Sequence, residues 1–439
     1  MNQAGLQLEQ VPPISVPFRF FLLAPAFLMF AAAVLMWRGP EALAARLAPA
    51  TIAITHLVTL GFMAMVMMGA MMQMLPVLQA SPVPRPRETA GVSCAGVGLG
   101  TLALAAGFLF GERWLLKAGA LALAAGFLAF VAAVLVCLAR APSQNHTVRA
   151  MWLAVLSLLV AVVFGVMLAT LFGWGIAPPN IAVHSLHPAW GLLGWTGLLV
   201  VGVGFELVPM FQMTPHYPKP MTRYLAPAIL ALLSLWSAVL WIDQGRWEAF
   251  AVACAVAMAA AYALFSVATM VLQRRRRRRL PDVTLDFWRV GMGSLLGASL
   301  AWGVRVAWSG PWLEPGPESL DILIGVLATF GFAGSVISGM LYKIMPFLAW
   351  FHLQSTRGRE KRAPNMKTIL PDASQRLQFR SHVLALALLC VAALWPGTFV
   401  YPAALALAAT AALLETNMLV VVRAYRDNLS QASDARSPS

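Results

Sequence analysis

Three segments far apart in this chain share one spacing. Gly61-Phe62 is followed by Gly69, Gln73 and Pro76, Gly194-Trp195 by Gly202, Glu206 and Pro209, and Gly331-Phe332 by Gly339, Lys343 and Pro346. In each copy the second glycine comes eight residues after the first, a polar residue four later and a proline three later. The copies lie about 133 and 137 residues apart, room for four membrane helices each, so the chain reads as a threefold internal repeat.

Hydrophobic residues make up 60% of the sequence and charged residues 11%, and long apolar runs follow one another with short polar breaks. We read twelve spans, at 17–37, 51–78, 90–110, 114–138, 150–172, 182–211, 225–242, 248–272, 285–308, 320–350, 380–395 and 398–422. The predicted fold class is an all-α integral membrane protein, one polytopic domain with twelve spans over 17–424 and polar tails at 1–16 and 425–439. Residues 1–16 lack the basic start and small-residue cleavage site of a secretory signal.

The net charge of +14 is distributed in a way that argues against nucleic-acid binding. Basic residues gather after even-numbered spans: Arg85 and Arg87, Arg140 and Arg149, Lys219 and Arg223, Arg274 to Arg279, then Arg357, Arg359, Lys361, Arg362 and Lys367. The connections after spans five, nine and eleven carry none. The positive-inside rule therefore puts both termini in the cytoplasm, the host membrane being a bacterial inner membrane. The six-arginine run reads as a topogenic and lipid-headgroup anchor, and the lipid bilayer is the expected partner. Cys94, Cys137, Cys254 and Cys390 sit in four different spans without metal or redox spacing, and read as small core residues.

Spans two, six and ten carry the repeat and run in the same direction. At about 100° per residue the two glycines, the polar residue and the proline fall within an arc of about 120°. Glycines on such a face allow close helix packing where lipid offers no hydrophobic drive. Each proline frees the carbonyl four residues earlier, on Met72, Phe205 or Tyr342, so this end of each helix should face protein or a watery cavity. Gln73, Glu206 and Lys343 are equivalent positions, and Glu206 and Lys343 are natural ion partners. Two readings of them stay open: a polar route for protons or ions, or a structural pair and interfacial anchor. Glu415 in span twelve is a further acid for such a route, and Arg305 with Asp321 reads as a structural pair.

Histidines are few and unevenly placed. His56 is near the outer end of span two, and His184 and His187 are at the outer end of span six. His184-x-x-His187 puts two rings one turn apart, a spacing that suits a metal, or a haem iron held by one ring and supported by the other. A structural polar cluster has the same spacing. His56 lies about 100° or more off the glycine stripe of its own helix, so it need not face the same cavity. His146, His216, His352 and His382 fall in or beside cytoplasmic connections and read as solvated. Met63, Met65, Met67, Met68, Met71, Met72 and Met74 invite a Cu(I) path, but they point all round span two, as core-filling methionines do.

Three four-helix units with spans two, six and ten as equivalent inner helices resemble the heme-copper oxidase subunit I fold. His56 stands where that family's span-two haem ligand would be, and His187-Pro188-Ala189-Trp190 looks like its span-six copper motif with His and Pro retained. The small residues and glycines after His56 and His187 also look like the related NnrS family, linked to haem, copper and nitric oxide stress. The resemblance implies a pseudo-threefold arrangement of arcs, haem and copper as cofactors held by His56, His184 and His187, and a cytochrome or other respiratory subunit as partner. It implies respiratory electron transfer, or O2 or NO reduction or response. The sequence departs from the pattern: 225–242 has no histidine for copper and 320–350 has none for haem. Two rival functions share the same features, a secondary transporter and a non-catalytic assembly factor for a respiratory complex.

Overall fold

The computed structural model describes residues 12–79, 81–142, 145–242, 246–277, 280, 282–309, 318–357 and 366–434. Most of the tail read at 1–16, Arg278, Arg279, Arg359, Lys361 and Arg362 lie outside these residues. The described chain is helical throughout, with no strand.

The elements follow the repeat. The first unit holds α1 (Ser15–Arg38), then a long inner helix built of α2 (Pro49–His56), a π segment π1 (Leu57–Ala64) and α3 (Met65–Gln79), then α4 (Pro86–Phe110) and α5 (Arg113–Arg140). The second holds α6 (His146–Trp174), the inner helix α7 (Val183–Ala189), π2 (Trp190–Gly197) and α8 (Leu198–Gln212), then α9 (Lys219–Ile242) and α10 (Glu248–Arg274). The third holds α11 (Val283–Ser309), the inner helix α12 (Glu318–Val326), π3 (Leu327–Gly334) and α13 (Ser335–Arg357), then short α14 (Met366–Ile369), α15 (Asp372–Leu394) and α16 (Pro396–Asp434). Local signals set the ends. Pro49 and Pro86 open α2 and α4, where a missing N–H costs nothing. Asn145 accepts from the Val148 N–H at 2.9 Å to cap α6.

Eleven helices among the described residues are long and apolar enough to cross a membrane. The protein is therefore membrane-embedded. The expected ninth span does form a helix, α11, which is not among these eleven.

The three π segments fall at the same repeat position, each containing the first glycine and its aromatic neighbour. A π turn bonds i to i+5 and amounts to one residue inserted in an α-helix. Side chains explain why the α pattern yields there. The Thr59 hydroxyl donates to the Thr55 carbonyl and the Thr329 hydroxyl to the Gly325 carbonyl, both at 2.7 Å, at equivalent positions of π1 and π3. Such back-bonding competes for the carbonyl that the α pattern would use. In the second unit Pro188 has no N–H to give, and the Tyr262 hydroxyl donates to the Leu193 carbonyl.

The glycine stripe packs as its spacing requires. A Cβ on Gly61 or Gly69 would strike Phe27 or Phe20 of α1, one on Gly194 or Gly202 would strike Ser157 or Ala150 of α6, and one on Gly331 or Gly339 would strike Ser294 of α11 or Phe287 of the same helix. Each inner helix thus closes on the first helix of its own unit. Equivalent hydrogen bonds mark the fit: Thr147 donates to the Gly202 carbonyl at 3.3 Å and Thr284 to the Gly339 carbonyl at 3.0 Å. Neighbouring units join through α5 on α6, α10 on α11 and α16 on α1. At one end of the third unit Asp321 meets two cations, Arg305 at 2.5 Å and Arg46 of the first unit at 3.8 Å.

Two expectations are corrected here. His382 is not a solvated residue of a connection. It lies inside α15, 1% exposed, with its Nε2 2.8 Å from the Ser335 hydroxyl and its ring against Phe330 and Phe287. Beside it the Tyr342 hydroxyl donates to Gln378 at 3.1 Å and accepts from Asn417 at 2.8 Å, and Gln378 donates to Thr410 at 3.0 Å. These side chains satisfy one another between α13, α15 and α16, as buried polar groups in lipid must. Lys343 does not pair with Glu206. Its ammonium lies 2.9 Å from Asp282, at the start of α11, while Glu206 is exposed. Equivalent positions on three helices related by a repeat point at their own neighbours, and Lys343's neighbour is the helix its glycine stripe already touches.

Candidate functional site: a facing pair of histidines

The N-terminal halves of the first two inner helices bring His56 and His187 together. Their ring centres are 6.2 Å apart and their planes 18° from parallel. His56 is the last residue of α2, and His187 lies in the last turn of α7, just before Pro188. The glycine stripe of this helix packs on α1, and His56 lies off that stripe, as counting about 100° per residue has it. The π segment starts at the residue after His56, and His56 faces the second unit. The sequence carried the threonine and proline that mark the π turns, but without the tertiary partners they have no unique reading.

Both rings are oriented by the main chain. The His56 Nδ1 is 2.8 Å from the Ile52 carbonyl, and the His187 Nδ1 is 3.0 Å from the Ala161 carbonyl of α6. A carbonyl can only accept, so each Nδ1 carries the proton and each Nε2 keeps its lone pair. This is the tautomer that binds a metal through Nε2, held by the kind of outer hydrogen bond that ligating histidines use. Gly165 of α6 leaves room for the second ring: a Cβ there would stand 3.0 Å from the His187 Cε1. Phe108 of α4 flanks His56 at 6.4 Å, and Phe172 of α6 meets Phe108 edge-on at 5.2 Å. The pair therefore has aromatic cover on one side.

The spacing can be tested against a ligand role. Two imidazoles bound from opposite sides at about 2.0–2.1 Å per bond, each ring centre about 1.1 Å beyond its nitrogen, have centres about 6.2 Å apart. The observed separation is compatible with this, and also with offset stacking of the two rings, which spans centroid distances of about 4.5–7 Å. The donor set also discriminates among metals. A bare copper or zinc ion takes three or four protein donors. Among the described residues no group of three His, Cys, Asp or Glu comes together. A haem iron needs only axial ligands from the protein, so two histidines suffice.

The other candidate residues are dispersed. The His184 Nδ1 is 3.2 Å from the Ile181 carbonyl, and among the described residues its ring meets neither His56 nor His187. Gln73 is 5% exposed, its Oε1 without a partner, beside a cavity of about 120 Å³ between α3, α8 and α13. That cavity is lined by Ala70, Met74, Leu207, Met210, Ile344 and Phe347 among others, with residues from all three inner helices and no charge. Glu415 is half-buried in α16, with one carboxylate oxygen unpartnered. Gln73, Glu206, Lys343 and Glu415 do not form one hydrogen-bonded chain among the described residues. The methionines of span two from Met63 to Met72 are core residues at 5% exposure or less. Pro76, Pro209 and Pro346 lie within α3, α8 and α13. Sequence reasoning did not single out Gly165, Ala161 or Phe108, since nothing in their local pattern announces a neighbour on another helix.

Neither the protein-family models nor the curated proteins contain a match to this chain, so the histidine pair is interpreted on its own geometry.

Proposed function

We propose that the protein binds haem in the membrane between His56 and His187 and serves one-electron transfer. The observation that carries this reading is the pair itself: parallel rings, metal-compatible spacing, and both Nδ1 protons committed to carbonyls. The proposed architecture is a pseudo-threefold set of arcs similar to heme-copper oxidase subunit I and NnrS-like proteins. The closed order of unit-to-unit contacts and the shared π register support it.

The residues present fit such a group. His56 and His187 would hold the group through Nε2, and the Ile52 and Ala161 carbonyls fix their tautomers and would raise the basicity of each Nε2. Gly165 admits the His187 ring, while Phe108, with Phe172 edge-on to it, would give apolar cover on the His56 side. A haem held by these two histidines would supply reversible one-electron transfer.

The basic connections put both termini on the cytoplasmic side of a bacterial inner membrane. His56 then lies about 10 Å below the outer end of α2, at 1.5 Å per residue from Pro49. Electrons would exchange with a cytochrome or another respiratory subunit at the outer surface. The test is the absorption spectrum of protein purified with haem supplied during expression. A Soret band with low-spin character, lost in both His56→Ala and His187→Ala, is expected. A colourless wild-type protein would sink the reading.

A further inference from the structure

A groove of about 640 Å³ runs along the side where α1, α4 and α16 meet, and neither His56 nor His187 lines it. Its walls are apolar over most of their length, through Leu22, Leu23, Phe27 and Phe30 of α1 and Leu99 and Leu102 of α4. At one end stand two arginines from helices distant in sequence, Arg19 of α1 and Arg426 of α16, with Tyr425 beside them. No acidic residue lines the groove. Among the described residues neither guanidinium is in an ion pair.

Arg19 is held in place without being neutralised. Its Nε donates to the Ser15 carbonyl at 3.1 Å and its Nη1 to the Arg87 carbonyl at 3.3 Å, both main-chain acceptors. That fixes a cation at the mouth of an apolar slot and leaves its charge uncompensated. Ser15 and Phe30 bound the groove along α1, a rise of about 22 Å at 1.5 Å per residue. One leaflet with its headgroup region is about 20–22 Å thick, half of a bilayer's 40–45 Å. The charged end lies at the ends of α1 and α16 that carry the chain's basic side.

We propose that this groove is a binding site for one anionic phospholipid of the leaflet on the basic side. Its phosphate sits between Arg19 and Arg426 and one acyl chain lies along α1 and α4. Two unpaired cations call for an anion, which a neutral lipid or a quinone ring does not supply. The groove's depth calls for a leaflet-length chain, which a free phosphate does not have. A lipid held there would also staple α16 to α1, the seam that joins the last unit to the first.

The experiment is thermal unfolding of delipidated full-length protein in neutral detergent, with phosphatidylglycerol, phosphatidylcholine of the same chains, or inorganic phosphate added. Native mass spectrometry counts the bound lipid. Phosphatidylglycerol should raise the unfolding temperature and bind at one per chain, with phosphatidylcholine and phosphate weaker. Arg19→Gln with Arg426→Gln should weaken phosphatidylglycerol binding about 25-fold, at roughly 1 kcal/mol per arginine near a membrane surface. Ala95→Trp, which fills the exposed apolar slot and leaves both arginines, should weaken it as well. Lys219→Gln with Arg223→Gln, a basic pair at the start of α9, should not. Equal binding of the two lipids, stabilisation by phosphate alone, or full binding by the arginine pair variant would each overturn the proposal.

Discussion

His56 and His187 face each other with ring centres 6.2 Å apart, and each gives its Nδ1 proton to a carbonyl of a helix backbone. The two carbonyls differ in kind. Ile52 lies one turn before His56 on the same helix, whereas Ala161 belongs to α6, so the His187 ring is held from outside its own helix. The seat of the His187 ring therefore depends on how α7 sits against α6.

Gly165 controls that seat. Gly165→Val would place methyl groups where the His187 ring lies, since even a Cβ comes within 3.0 Å of it. We expect a folded protein destabilised by about 1–3 kcal/mol whose haem content falls and whose Soret band shifts. A spectrum and haem stoichiometry unchanged from wild type would show that His187 is not a ligand.

His382 provides the contrasting case. His382→Leu removes the partner of the buried Ser335 hydroxyl and should cost about 1–3 kcal/mol, read as a lower unfolding temperature. It should leave haem content and the Soret band intact, because the His382 Nε2 is already engaged by Ser335. Loss of the band in this variant at wild-type stability would move the haem to the third unit.

The repeat glycines should differ sharply from a glycine that touches nothing. Gly61→Ala and Gly202→Ala each put a Cβ 2.2 Å from an atom of the neighbouring helix, Phe27 Cδ1 or Ala150 Cβ. Overpacking of this kind should cost about 1–3 kcal/mol each. Gly191→Ala in π2, with no atom within 4 Å of the added Cβ, should be neutral or stabilising by about 0.5 kcal/mol. Unfolding of the three variants in the same detergent gives the comparison.

The charged pairs make a prediction about partners. A double-mutant cycle on Lys343 and Asp282 should give a coupling of roughly 1 kcal/mol, modest because both side chains reach solvent in part. The same cycle on Lys343 and Glu206 should give none. Asp321→Asn, which leaves the buried Arg305 without its carboxylate, should cost about 3 kcal/mol.

Much of the scaffold was legible because the Gly–aromatic–Gly–polar–Pro spacing is periodic and its packing partner is always the preceding helix. Gly61, Gly194 and Gly331 could be aligned by eye, and their close contacts with α1, α6 and α11 follow from having no side chain. What the pattern could not show depends on rotation and on distant neighbours. That His56 meets His187 depends on which unit lies on that side of the helix, and no spacing within span two shows it. Lys343 was matched to Glu206 because opposite charges at equivalent positions invite pairing. Asp282, which takes that role, sits at a helix start with no motif around it. His382 was read as solvated because span eleven was started at 380. The helix in fact begins at Asp372 and carries the ring nearly three turns inside.

The common π register divides each inner helix into two halves with separate duties. Beyond the wide turn, the second glycine locks the helix to its unit and resists change. Before it, the chain has a rotational joint, and what the outer half presents is set locally. The first two units present histidines there, while the third has Val326 and Ile324 at the positions equivalent to His56 and His187. Shortening π1 by one residue would restore an ordinary helix and swing His56 by about 100°, uncoupling the pair with the glycine seam untouched. A repeat built this way can change its chemistry one unit at a time without rebuilding its frame.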